Sequence, residues 1–171
     1  MLPDDLDFAA ACTAAEGWAS ETREIFAGFL RREPGGCFVA EADGQRAGIC
    51  VATSYGDAGF IGEVVVRREV RVAGLGRALL AAALDYLRGR RVHSVYLDAV
   101  ARAVPFYESV GFRVVCRSLR FLGQVEPTAW SRDTGRAGRA EAAAVAACVR
   151  PLREPDLPAV LALDREVFGA D

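Results

Sequence analysis

Fifteen residues limit what this chain can fold into more than any others: Glu63-Val64-Val65-Val66-Arg67-Arg68-Glu69-Val70-Arg71-Val72-Ala73-Gly74-Leu75-Gly76-Arg77. An apolar run, a charged turn and two glycines ahead of an amphipathic segment read as strand, loop and helix. Leu80, Leu84 and Leu87 share a face with Ala83, so Leu75 to Arg88 is predicted to be helical. The first N–H groups of such a helix have no internal acceptor. The helix dipole adds partial positive charge at the same end. Gly74 and Gly76 carry no Cβ to hold an anion away, so a phosphate can sit on those amides, with charge from Arg71 and Arg77 nearby. Glycines before a helix are also ordinary loop punctuation, and the string alone leaves both readings open. A Walker loop requires Gly-Lys-Ser/Thr, and the chain has no Lys. A dinucleotide fingerprint requires a third glycine, which Gly74-Leu75-Gly76-Arg77-Ala78-Leu79 lacks.

Composition narrows the classes further. With 171 residues and 52% hydrophobic content, the chain is long enough for one cored domain plus an appendage. The net charge of -2 gives no basic excess for nucleic acid. All 21 cationic residues are Arg, which rules out Schiff-base chemistry on a lysine. Cys12, Cys37, Cys50, Cys116 and Cys148 form no Cys-x-x-Cys pair, and the lone His93 gives them no zinc partners, so no metal site is expected. They read as small apolar residues in a reducing cytoplasm. No secretory leader opens the chain, and no apolar run approaches the roughly 18 residues that span a bilayer.

Along the chain, residues 4 to 18 and Glu21 to Arg32 are expected to be helices, the second ended by Pro34-Gly35-Gly36. Three strands follow, Cys37 to Glu41, Arg46 to Ser54 and Phe60 to Arg67, joined by turns at Asp43-Gly44 and Gly56-Asp57. After the helix at Leu75 come a strand over Val92 to Ala99, a short helix over Ala103 to Val110 stopped by Gly111, and a fifth strand over Phe112 to Phe121. This order implies an α/β fold with a mixed sheet rather than a regular alternation of strand and helix.

A second motif lies downstream in Phe106-Tyr107-Glu108-Ser109-Val110-Gly111-Phe112. Arg71-x-x-Gly74-x-Gly76 resembles the pyrophosphate loop R/Q-x-x-G-x-G/A of the GNAT N-acetyltransferase superfamily, and Phe106-Tyr107-Glu108-x-x-Gly111-Phe112 resembles that family's F-Y-E-x-x-G-F signature. The motifs occur in the family's order, one helix and one strand apart. The match is dense over Glu63 to Val115. Val72 and Val100 depart from it, standing where many members carry Gly and Asn.

The resemblance implies a mixed, mostly antiparallel sheet flanked by helices, with splayed central strands. It implies acetyl-CoA as co-substrate, its pantetheine arm lying along Val64, Val65 and Val66 and its pyrophosphate on the amides of residues 72–77. A backbone N–H near Val65 or Val66 would polarise the thioester carbonyl. A neutral primary amine would attack directly. Tyr107 would protonate the leaving thiolate, the other reading of Tyr107 being a core aromatic with a bonded hydroxyl. Glu63 is the first candidate for the base, with Asp98 second. A non-catalytic acyl-CoA sensor or regulatory module is the alternative function. The acceptor is a small-molecule or peptide amine, without nucleic acid or membrane, and a homodimer is one assembly open to the chain.

The ends set a further expectation. GNAT domains open with a strand reading like Val/Ile-Arg-Pro, followed by Asp-Leu. Met1-Leu2-Pro3-Asp4-Asp5-Leu6 starts inside that pattern, whereas Val149-Arg150-Pro151-Leu152-Arg153-Glu154-Pro155-Asp156-Leu157 matches it. The expected organisation is a GNAT domain over 1–127, a linker over 128–147, and over 148–171 the opening strand and helix of a second module. A rival arrangement pairs Val149 to Arg153 with the first sheet.

Overall fold

The computed structural model describes residues 1–18, 20–118 and 149–168. The chain divides into two units, one spanning Met1–Val115 and the other Cys116–Gly169.

In the first unit a 3-10 turn, Pro3–Asp5, runs into α1 (Leu6–Ala15), followed by α2 (Arg23–Arg32). Strands β1 (Cys37–Ala42), β2 (Gln45–Tyr55) and β3 (Ala58–Val66) form an antiparallel meander. Then come α3 (Leu75–Gly89), β4 (Ser94–Tyr96) and α4 (Val104–Glu108). The sheet order is β1-β2-β3-β4, and β4 lies parallel to β3 because α3 crosses between them.

The sheet sits between two apolar layers. Ile49, Val51 and Val65 join Leu6, Ala9, Cys12 and Phe26 beneath α1 and α2. Cys50, Ala52 and Ile61 join Leu79, Leu80, Ala83 and Leu87 of α3 on the other face. The central strand β2 is therefore buried on both faces from Ala47 to Thr53, and its sequence reads as a continuous run rather than an alternation.

Two strand expectations are corrected. The fourth strand, expected over Val92 to Ala99, is three residues long, since β4 pairs with β3 only from Ala58↔Ser94 to Phe60↔Tyr96. Beyond that point the strands part, and Leu97 to Val100 have no ladder to join. The fifth strand, expected over Phe112 to Phe121, is not formed over residues 112–118. Val114 and Val115 stand 62% and 77% exposed there, with no strand beside them to complete a ladder. Residues 119–121 lie outside the described residues, as do the expected linker and Trp130.

The second unit contains a 3-10 turn, Glu154–Asp156, and α5 (Leu157–Phe168). Val149 to Arg153, expected as a short strand, form none. The entry into α5 repeats the entry into α1. Asp5 accepts from the Leu2 N–H at 2.6 Å, and Asp156 accepts from the Arg153 N–H at 2.8 Å. Each aspartate also carries an arginine, Arg46 at 2.7 Å and Arg150 at 2.6 Å.

Candidate active site

The site is built where β3 leaves its neighbour. From Ile61 to Val66 the side of β3 that faces β4 has no ladder partner among the described residues. A bulge shapes this stretch. Ile49 pairs with Val65 and Val51 with Gly62, so Glu63 and Val64 together oppose Cys50. Glu63 adopts φ 53°, a left-handed conformation that a glutamate takes only under constraint. The extra residue shifts the alternation, so Ile61, Val64 and Val66 all face the α3 layer. The isolated Gly62 is the sequence signal for such a bulge. The Arg67 N–H donates to Ala47 on β2 at 2.8 Å, so Val66 turns its backbone groups toward the unpaired side. Val65 pairs in the ladder and buries its side chain under α1.

The chain then makes a 3-10 turn, Arg68–Ala73, and reaches Gly74, the N-cap of α3, at φ 76° and ψ 0°. Gly74 has no side chain to cap the helix, and a Cβ added there would meet nothing within 4 Å. No side chain caps the first amides of α3, as an anion cradle requires. Gly76 serves a different purpose. Its Cβ position lies 3.4 Å from the Phe106 ring, which places the two sequence motifs against each other. Arg77 strengthens that junction, donating to Ser109 Oγ at 2.9 Å with its guanidinium 5.9 Å from the Phe106 ring centre.

Arg71 is exposed but bonded to the protein. Its Nε donates to the Val66 carbonyl at 2.9 Å and its Nη2 to Glu16 at 2.5 Å. Its guanidinium therefore fixes the loop against β3 and α1, leaving the backbone amides as the main anion donors. Val72 and Ala73 contribute backbone to the turn.

Tyr107 lies on α4 between Phe106 and Phe112, at ring-centre distances of 5.1 and 6.1 Å. Burial, with a smaller contribution from Cys50, pushes its phenol up to about 12. Burial thus keeps the hydroxyl protonated and able to donate. Asp98 and His93 are exposed, and His93 donates its backbone N–H to Asp57 at the foot of β4. Cys12, Cys37 and Cys50 are buried free thiols, raised by burial to about 11, 11 and 12, as befits apolar core residues.

Sequence reasoning missed Glu16. It ends α1, and its partners Arg71 and Arg102 lie 55 and 86 residues away, a separation that no local pattern reports. It also lines a cavity of about 330 Å³ with Phe8, Cys12, Val65, Val66 and Arg68.

The first unit thus combines a mixed sheet whose β3–β4 ladder stops short, a helix headed by Gly74 beside the open edge, and a tyrosine-bearing helix packed against that helix. Residues 5–112 match the acetyltransferase (GNAT) family, and the chain belongs to that family. The glucosamine 6-phosphate N-acetyltransferase of Trypanosoma brucei brucei is 40% identical over 62 residues, which cover 36% of this chain and 42% of that protein. The mycothiol acetyltransferase of Acidothermus cellulolyticus is 39% identical over 100 residues, covering 47% of this chain and 31% of that protein. The chain thus spans less than half the length of these curated relatives. Among solved structures, a Trypanosoma brucei acetyltransferase superposes with a TM-score of 0.56 at 26% identity, covering 71% of this chain and 94% of that one. Ard1 from Thermoplasma volcanium shares the fold with a TM-score of 0.63 at 23% identity, covering 68% and 81%. Among the described residues, no helix is long and apolar enough to cross a membrane.

Proposed function

We propose that this chain transfers an acetyl group from acetyl-CoA to a primary amine by direct attack. One observation carries the reading: the β3–β4 ladder stops at Phe60↔Tyr96, and the open edge of β3 leads directly to the bare amides that Gly74 exposes at the head of α3. The edge suits an extended amide-bearing arm. The amides suit a diphosphate. Bound there, acetyl-CoA supplies the thioester that the amine attacks.

The chain's own groups then have separate tasks. The Val66 N–H, turned to the unpaired side, donates to the thioester carbonyl as negative charge develops on its oxygen. Tyr107, kept neutral by burial, hydrogen-bonds the sulfur and hands over its proton as the C–S bond breaks, and regains one through solvent as Glu63 releases the proton it took. Glu63, half-buried at the bulge, takes the proton that the amine loses, directly or through water. Three buried free thiols suit a reducing compartment such as the cytoplasm.

The second unit extends the proposal. Residues 148–171 form the opening of a second module of the same kind, joined to a first module at 1–127 by a linker over 128–147. The repeated aspartate hydrogen bonds at the entries into α1 and α5 support this. So does the pattern of α5, whose Leu157, Val160 and Leu163 occupy the positions that Leu6, Ala9 and Cys12 bury in α1.

The test is a calorimetric titration with acetyl-CoA, beside free CoA and ATP. Micromolar binding selective for acetyl-CoA is expected. An amine screen follows, beginning with glucosamine 6-phosphate and peptides with free N-termini, since relatives are named glucosamine 6-phosphate N-acetyltransferase and N-alpha-acetyltransferase. No binding by a chain shown to be folded overturns the proposal.

A further inference from the structure

The two oxygens of one carboxylate join the segments that border the gap. Glu16 is the residue that closes α1, and its side chain is 7% exposed. Its Oε1 accepts from Arg71 Nη2 at 2.5 Å and lies 3.6 Å from Arg68 Nε. Its Oε2 accepts from Arg102 Nη2 at 2.9 Å. Arg68 and Arg71 belong to the turn that follows β3, and Arg102 to the turn Ala101–Ala103 beyond β4. One oxygen therefore serves each side of the gap.

The tie lies where the sheet itself provides none. β3 and β4 share three ladder pairs and then separate. On the α3 face the sides are linked by Arg77 and Ser109 and by the contact of Gly76 with Phe106. Glu16 makes the corresponding link from the α1 end. It also holds Arg71 in place to grip the Val66 carbonyl, so the same carboxylate governs the backbone at the open edge. Burial on its own would favour the neutral acid. The Arg71 hydrogen bond, with the fields of Arg71, Arg68 and Arg102, outweighs it and holds the carboxyl below its ordinary range. The group is thus an anion at neutral pH; a shorter side chain loses both grips, and an amide keeps one acceptor oxygen but loses the charge and turns an NH2 toward one of the arginines.

We propose that Glu16 is a positioning residue that sets the width of the gap between β3 and the segment beyond β4. It acts through Arg71 and Arg102 and touches no reacting atom. Its consequence for catalysis rests on the acyl-CoA reading above, whereas the tie itself is a property of the free protein.

The test uses the full chain with Glu16→Gln and, separately, Arg102→Gln. Hydrogen exchange in the free protein should speed up about tenfold for amides in 68–74 and 100–104 in Glu16→Gln, with β1 and β2 unchanged. Arg102→Gln, at a more exposed position, should reproduce the change in 100–104 and keeps the question answerable if Glu16→Gln folds poorly. In turnover, KM for acetyl-CoA should rise about tenfold with kcat within about twofold, and the double variant should be no worse than Glu16→Gln alone. Unchanged exchange in both segments, a uniform rise across the sheet, or a fall in kcat with KM unaltered would each overturn the proposal. If the wild-type chain binds no acetyl-CoA, the acyl-CoA reading fails while the exchange arm still decides the tie.

Discussion

Gly74→Ala separates the cost of folding the loop from the cost of binding at it. Gly74 holds φ 76° and ψ 0° at the head of α3. An L-residue in that region lies about 1–2 kcal/mol above its favoured conformations. A Cβ there would meet nothing within 4 Å, so packing neither adds to that figure nor relieves it. Alanine also narrows the unfolded ensemble, which offsets about 0.4–1 kcal/mol. The net loss is then about 1 kcal/mol, or a fall in melting midpoint of about 3–5 °C for a domain of this size. Gly44, in the turn between β1 and β2, supplies the control. Its φ is 71° and its Cβ position is equally open, so Gly44→Ala should lose the same stability. Only the alanine at 74 stands beside the first amides of α3. Acetyl-CoA affinity, read by calorimetry, should therefore drop about tenfold or more in Gly74→Ala and stay near wild type in Gly44→Ala. A Gly74→Ala protein that melts like wild type would refute the backbone argument. One that binds as Gly44→Ala does would refute the anion cradle.

Tyr107→Phe should lower turnover about 100-fold or more while leaving acetyl-CoA binding intact, and equal turnover would remove the tyrosine from the proton path. The phenol titrates near 10.0 when unfolded and at about 12 when folded, so the folded chain binds the extra proton. Its contribution to stability is intact below pH 10 and is lost as pH rises toward 12; phenolate absorbance compared between wild type and Tyr107→Phe should show the late titration. Glu33, 5% exposed, accepts from the Ser54 N–H at 3.2 Å and from the Tyr86 hydroxyl, tying α2 to β2 and α3. Glu33→Ala strands both donors and should cost about 1–3 kcal/mol in urea unfolding, against nearly nothing if the tie is idle. A chain ending after residue 127 should keep acetyl-CoA affinity and a melting midpoint within a few degrees of the full chain; loss of either would assign 128–171 to the first module.

Local chemistry explains which parts were legible. The meander was readable because Asp43-Gly44 and Gly56-Asp57 mark tight turns. The helix at Leu75 was readable because its leucines recur at helical spacing behind two glycines. The two motifs gave Gly74, Gly76 and Tyr107 directly. Glu63 is legible as a candidate base, and Gly62 hints at a bulge, but which residues double up opposite Cys50 depends on how Ile49 and Val51 pair across the ladder.

The sequence by itself determined the order of the elements, the apolar positions and the glycines that open the loop, because each depends on residues within a few positions of one another. Only the tertiary structure decided where the strands separate. The apolar pattern of Val92 to Ala99 continues past the point at which β3 is no longer alongside, and a sequence pattern does not record the absence of a partner. Tertiary structure alone likewise brought Glu16 to Arg71 and Arg102, because an ion pair closed across 55 and 86 residues leaves no periodicity in the chain that makes it.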